Sequence, residues 1–165
     1  MTAIELTIED AEFIAFELAQ ALMASKEPFP EFVTRNPHRL EGVLAAPFTS
    51  WGGKEKYPTI AEKAAVLFYH GCKDHPLQNG NKRMAVVLVL VFLAVNDWWI
   101  TIDPKKLYRK AKRVAKSNPA QRDKVVAKLV KLINKYLVRL ADTPGGAEFI
   151  ATRDAPDEIP IDKAA

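Results

Sequence analysis

The side chains best suited to chemistry in this chain sit in one nonapeptide, HPLQNGNKR, residues 75–83. His75 can exchange a proton near neutral pH and is a candidate general base. Gly80 permits close backbone approach, and Lys82 and Arg83 are cations suited to phosphate. The next twelve residues, MAVVLVLVFLAV, carry no charge. If that run is a buried helix, its first turn presents N–H groups without an intrahelical partner at the positive end of the helix dipole. Two cations at such an end are unfavourable by a few tenths of a kcal/mol each unless an anion lies between them, and phosphate is the simplest candidate. Gly80, Asn81, Lys82 and Arg83 are therefore candidate phosphate-binding residues, with His75, held by Pro76, at the mouth. The same residue types also make a polar interhelix turn with a capping asparagine, a surface histidine and two solvated cations. The residues by themselves leave both readings open.

The elements that must position this loop follow from periodicity. Residues 81–96 are valine-rich, but about sixteen residues is too long for an ordinary buried strand and suits a central helix apolar on every face. Thr59 with Glu62 opens the preceding helix, to about Lys73, and Thr7 with Asp10 opens a first helix over about 8–25. NPHRLEGVLAAP predicts a short helix from Pro37 to about Ala45, after a proline-rich loop, KEPFPEF. Gly52-Gly53 between short segments with Phe48, Trp51 and Tyr57 predicts a β-hairpin, or else an open loop. Asp103-Pro104 and Asn118-Pro119 open two further helices, to about Lys116 and Leu140. Gly71 in the helix before the loop marks a fraying end or close packing. The expected fold class is all-α with one small hairpin: a helical domain over 1–140 and an acidic tail over 141–165 that lacks helical periodicity and is flexible or docks in extended form.

Composition bounds the function. The 165 residues, 48% hydrophobic, suffice for one domain. The longest apolar run falls short of the roughly 20 residues of a membrane span, and the N-terminus has no signal-peptide pattern, so a cytoplasmic protein is expected. The lone Cys72 excludes an internal disulfide and reads as a core residue. Net charge is +4, yet residues 104–140 hold 13 Lys/Arg against 1 Asp/Glu. Such a block can face water, an acidic protein partner or nucleic acid; with only Tyr108 before Tyr136, base-stacking aromatics are missing, which argues against nucleic acid. No zinc spacing or P-loop is present. His70 and His38 read as structural and surface residues, and Trp98-Trp99 as a cap on the core.

HPLQNGNKR resembles the signature of the Fic/Doc family, H-x-F-x-[DE]-G-N-[GK]-R, through His75, Gly80, Asn81, Lys82 and Arg83; asparagine is also accepted for the acid in the Doc branch. The flanks YPTIAEKAAVLFYHGCKD and MAVVLVLVFLAVND resemble that family too, so the likeness covers roughly residues 40–140. It implies the Fic fold, with a target-binding hairpin flap over 48–57 (Gly52, Gly53, Lys54, Tyr57), and transfer of part of ATP, with Mg²⁺, to a protein hydroxyl. His75 would be the base, Gly80 and Asn81 the anion hole, and Lys82 and Arg83 the phosphate holders. Lys82 in place of glycine, and Val86 in place of a second arginine, imply the Doc branch: a toxin transferring the terminal phosphate, a translation factor being one candidate target. AMP transfer is the alternative, and a non-catalytic Fic-fold binding protein a third reading. Leu77 replaces the loop phenylalanine, a tolerated change. Asn79 replaces the acid that binds Mg²⁺ and is a weaker ligand. The self-inhibitory pattern [ST]-x-x-x-E-[GN] is absent, since Ser50 lies five residues before Glu55 and Lys56 follows it. The resemblance therefore implies an antitoxin acting in trans.

Overall fold

The computed structural model describes residues 2–23 and 25–154. Its centre is a pair of helices, α4 (Ile60–Lys73) and α5 (Asn81–Val95), joined by the nonapeptide loop. α5 is buried from Met84 to Leu90 and again at Phe92 and Leu93, as its uniformly apolar sequence requires. Gly71 is a packing glycine: a Cβ there would lie 2.9 Å from Ala85 Cβ, so its absence lets α4 and α5 close on each other.

Around this pair lie α1 (Ile8–Phe13), a π-helical stretch Ile14–Leu18, α2 (Ala19–Leu22) and α3 (Pro37–Ala45) on the N-terminal side. α6 (Pro104–Lys116) and α7 (Arg122–Tyr136) pack against α4, and α6 also against α5. Thr7 with Asp10 and Thr59 with Glu62 form the two expected capping boxes. The expected hairpin forms as β1 (Ser50–Trp51) and β2 (Lys54–Glu55), with Gly52 and Gly53 both at positive φ, as a type I′ turn demands. The fold is all-α with a small antiparallel hairpin, as expected, and it carries a second antiparallel strand pair besides.

Three expectations need correction. The first helix is not regular throughout: a π-helical stretch interrupts it, and it ends at Leu22. The last predicted helix stops at Tyr136, and β4 (Leu137–Arg139) pairs antiparallel with β3 (Trp98–Ile100). Thr101 N–H also bonds the Tyr136 carbonyl, and the Arg139 guanidinium lies 4.0 Å from the Trp98 ring centre, so tertiary pairing overrides helical periodicity there. Third, residues after 140 are not all extended: α8 (Gly146–Arg153) begins behind Gly145 and anchors on the end of α5 through Arg153. Residues 155–165 of the expected tail lie outside the described residues.

Candidate active site

The loop between α4 and α5 is held from three sides. Asn81 is buried, and its side chain bonds the same residue twice: Oδ1 accepts from Leu77 N–H and Nδ2 donates to Leu77 carbonyl, each at 2.8 Å. The Asn81 side chain is thus a loop brace, and its backbone N–H is the group it has left to offer an anion. From α3, Asn36 N–H donates to the Pro76 carbonyl at 2.8 Å and Arg39 Nη1 to the Asp74 carbonyl at 3.3 Å. Both neighbours of His75 are therefore fixed, and His75 itself sits exposed at φ +47, a conformation costing on the order of 1–2 kcal/mol for a residue with a Cβ. The loop over-determines this backbone and turns the imidazole outward. Beside it opens a cavity of about 540 Å³ bordered by His38, Arg39, Gly42, Lys73, Asp74 and His75, room for a group approaching the ring.

Gly80 is the N-cap of α5 at φ +78, with no side-chain cap on the helix. Its own N–H is taken by Asn79 Oδ1 at 2.6 Å. The following N–H groups, of Asn81, Lys82 and Arg83, precede the first intrahelical bond, which runs from Met84 N–H to the Gly80 carbonyl. Arg83 is 7% exposed, and its guanidinium stacks on the Phe29 ring at 4.3 Å. Among the described residues no carboxylate lies within 4.0 Å of Arg83 or Lys82. A cation on an aromatic face, beside N–H groups that precede the first intrahelical bond, is an arrangement able to receive an anion.

Two residues missed in the sequence complete the site. KEPFPEF reads as a mere loop, yet Phe29 packs so closely on Gly80 that a Cβ there would collide with the Phe29 ring. Glu27 Oε2 accepts from Asn79 Nδ2 at 3.2 Å, bringing a carboxylate to the motif. Prolines flag a loop but do not say what it covers, so no signal in the sequence identified either contact.

The hairpin strands stand away from this loop, while Tyr57 is linked toward it through Arg122, His70 and Asp74. Glu55 bonds Lys63 in the first turns of α4 at 3.3 Å and borders a cavity with Val95–Trp98, at the opposite end of α5. That end is about 22 Å from Asn81 by the length of a fifteen-residue helix. Gly52, Gly53 and Lys54 are exposed, and Trp51 at the tip is 90% exposed. Tyr57, expected on the flap, lies outside the strands and is buried, its hydroxyl accepting from Arg122 Nη2 at 2.8 Å. Arg122 also approaches His70 Nε2 at 3.4 Å, and His70 Nδ1 lies 2.7 Å from Asp74 Oδ2. His70 is thus structural, tying α4 to α7, as its place on the helix suggested. Cys72 is buried, which pushes its thiol up to about 12 and leaves it inert.

A helical frame whose two central helices are joined by His75, a braced glycine turn and a cationic helix start defines the class. The Fic/DOC family profile matches residues 8–93, just over half the chain, and the chain belongs to the Fic/Doc family. It is 32% identical over 73 residues to Toxin Doc of Mycolicibacterium smegmatis; the match covers 44% of this chain and 56% of that protein. The chain thus spans about half the length of that relative. No solved structure matches it. No helix among the described residues is long and apolar enough to cross a membrane.

Proposed function

We propose that this chain is a Doc-like cytoplasmic toxin of a toxin–antitoxin pair that transfers the terminal phosphate of ATP to a hydroxyl of a target protein, with a translation factor as the first target to try. The observation that carries the reading is the buried Arg83, without a carboxylate partner among the described residues, beside the unbonded N–H groups of Asn81, Lys82 and Arg83. These groups bind phosphate oxygens and offset the charge that builds on them and on the leaving group during transfer. The acceptor hydroxyl enters from the cavity beside α3 and loses its proton to a ring nitrogen of His75. Its oxygen bonds to the terminal phosphorus as the bond to the bridging oxygen breaks, and ADP leaves.

Mg²⁺, when bound, would supply positive charge to offset that of the phosphates. The donor set fits a hard cation that keeps several waters: Asn79 Oδ1 and the Glu27 carboxylate that contacts Asn79 would hold it together with the phosphates. The Glu27 carboxylate would then stand in for the acid absent at position 79. Val86 is fully buried and brings no second arginine to the phosphates, which favours phosphate over AMP transfer. A separate protein, the antitoxin, would supply the restraint that the chain lacks. The hairpin edge remains a docking element for the target, but at a distance from His75.

The test is incubation of the chain with Mg²⁺, a lysate and ATP labelled at either the gamma or the alpha position. Gamma label on a protein, lost with His75→Ala, is the expected result. Alpha label would move the reading to AMP transfer. No label in either case, with His75→Ala matching the parent in a growth assay, would overturn it in favour of a non-catalytic binding protein.

A further inference from the structure

α6 and α7 pack on α4 with their outward sides forming a groove of about 580 Å³. Its floor is aliphatic: Val114 from α6, and Val125, Leu129 and Leu132 from α7. Val125 and Leu132 are only half-buried, so apolar surface is left to cover. Apart from Ser117 the rim is cationic, with Lys110 and Arg113 on one side and Lys128, Lys131 and Lys135 on the other. Among the described residues none of these five has a carboxylate within 4.0 Å.

We propose that this groove docks an acidic segment of a partner protein, folded as a short amphipathic helix whose aliphatic side chains meet the floor while its carboxylates meet the lysine rim. Both features are needed to choose this occupant. Five uncompensated cations within one groove favour an anionic partner and speed its arrival. Nucleic acid is anionic too, but its phosphates have no use for a floor of aliphatic side chains, and the lining offers no aromatic on which a base could stack. A lipid surface is reached by apolar groups that project, whereas these are recessed between two helices. A second copy of the same face would set cations against cations. A helix with apolar residues at i, i+3, i+4 and i+7 and acids elsewhere satisfies floor and rim together. The inference does not depend on His75 or on nucleotide, so it stands or falls separately from the phosphate-transfer reading.

The test is fluorescence anisotropy of the full chain with labelled peptides of about 18 residues, five helical turns. One peptide carries leucines at helical spacing among glutamates, and a second has serine for each leucine. A uridine oligonucleotide of equal length is the third probe. The leucine–glutamate peptide should bind at least about tenfold more tightly than the serine peptide and weaken steeply with salt. Lys131→Glu, at an exposed position, and Leu132→Asp should each weaken it by about tenfold or more; Lys128→Glu repeats the measurement should Leu132→Asp fail to fold. Equal binding of the two peptides, indifference to Lys131→Glu and Lys128→Glu, or tighter binding of the oligonucleotide would overturn the proposal. So would a rise in peptide affinity on deleting residues 155–165, since the groove would then belong to the chain's own acidic end.

Discussion

The two ends of α5 begin and finish the same apolar rod, and they are treated in opposite ways. At the C-terminal end the polar groups are closed by the protein itself. Asn96 Nδ2 donates to the Phe92 and Ile4 carbonyls, its Oδ1 accepts from Ile4 N–H, and Arg153 reaches the Ala94 and Val95 carbonyls and the Asp97 carboxylate. At the N-terminal end the helix has no side-chain cap, two cations take the first turn, and Arg83 is buried without an acid among the described residues. One end is completed by the chain's own side chains, whereas the other keeps backbone donors and a cation without an acidic partner among the described residues.

Substitutions at the two ends should separate accordingly. The largest effect belongs to His75→Ala, which should lower phosphate transfer by about 10²–10⁴-fold with little change in melting temperature, read by labelled transfer and calorimetry. Gly80→Ala comes next: a left-handed backbone with a Cβ pressed onto Phe29 should cost about 2–4 kcal/mol in denaturant unfolding and also weaken nucleotide binding. Asn81→Ala leaves two buried backbone groups of Leu77 without partners, an expected loss of about 2–4 kcal/mol, with transfer falling because His75 loses its fixed loop. At the closed end, Arg153→Ala should cost about 1 kcal/mol or less and leave transfer unchanged. If it abolished transfer, the contrast between the two ends would fail.

The open end was the legible one. Loop chemistry announces itself in a short stretch, because histidine, glycine, asparagine and paired cations beside a twelve-residue apolar run have few joint explanations. The capping boxes at Thr7 and Thr59 and the Gly52-Gly53 turn were equally local and equally readable. What could not be read depends on contacts between distant segments. Phe29 on Gly80, Glu27 on Asn79, and Asn36 and Arg39 on the carbonyls flanking His75 join positions far apart in the chain. Leu137–Arg139 continued a helical pattern and became a strand only because Trp98–Ile100 was there to pair with it. α8 was masked by Pro144 and two glycines, though Gly145 serves as its left-handed N-cap. The hairpin was readable as a hairpin, but its place at the far end of α4 and α5 was not.

The central claim is that the start of α5 grips the phosphates of a nucleotide. The most direct measurement follows backbone amide resonances as a non-hydrolysable ATP analogue and Mg²⁺ are added. The amides of Asn81, Lys82 and Arg83 should shift saturably while those of Asn96 and Asp97 hold still. Resonances at 81–83 that do not move at saturating analogue, or movement confined to the other end of the helix, would contradict it.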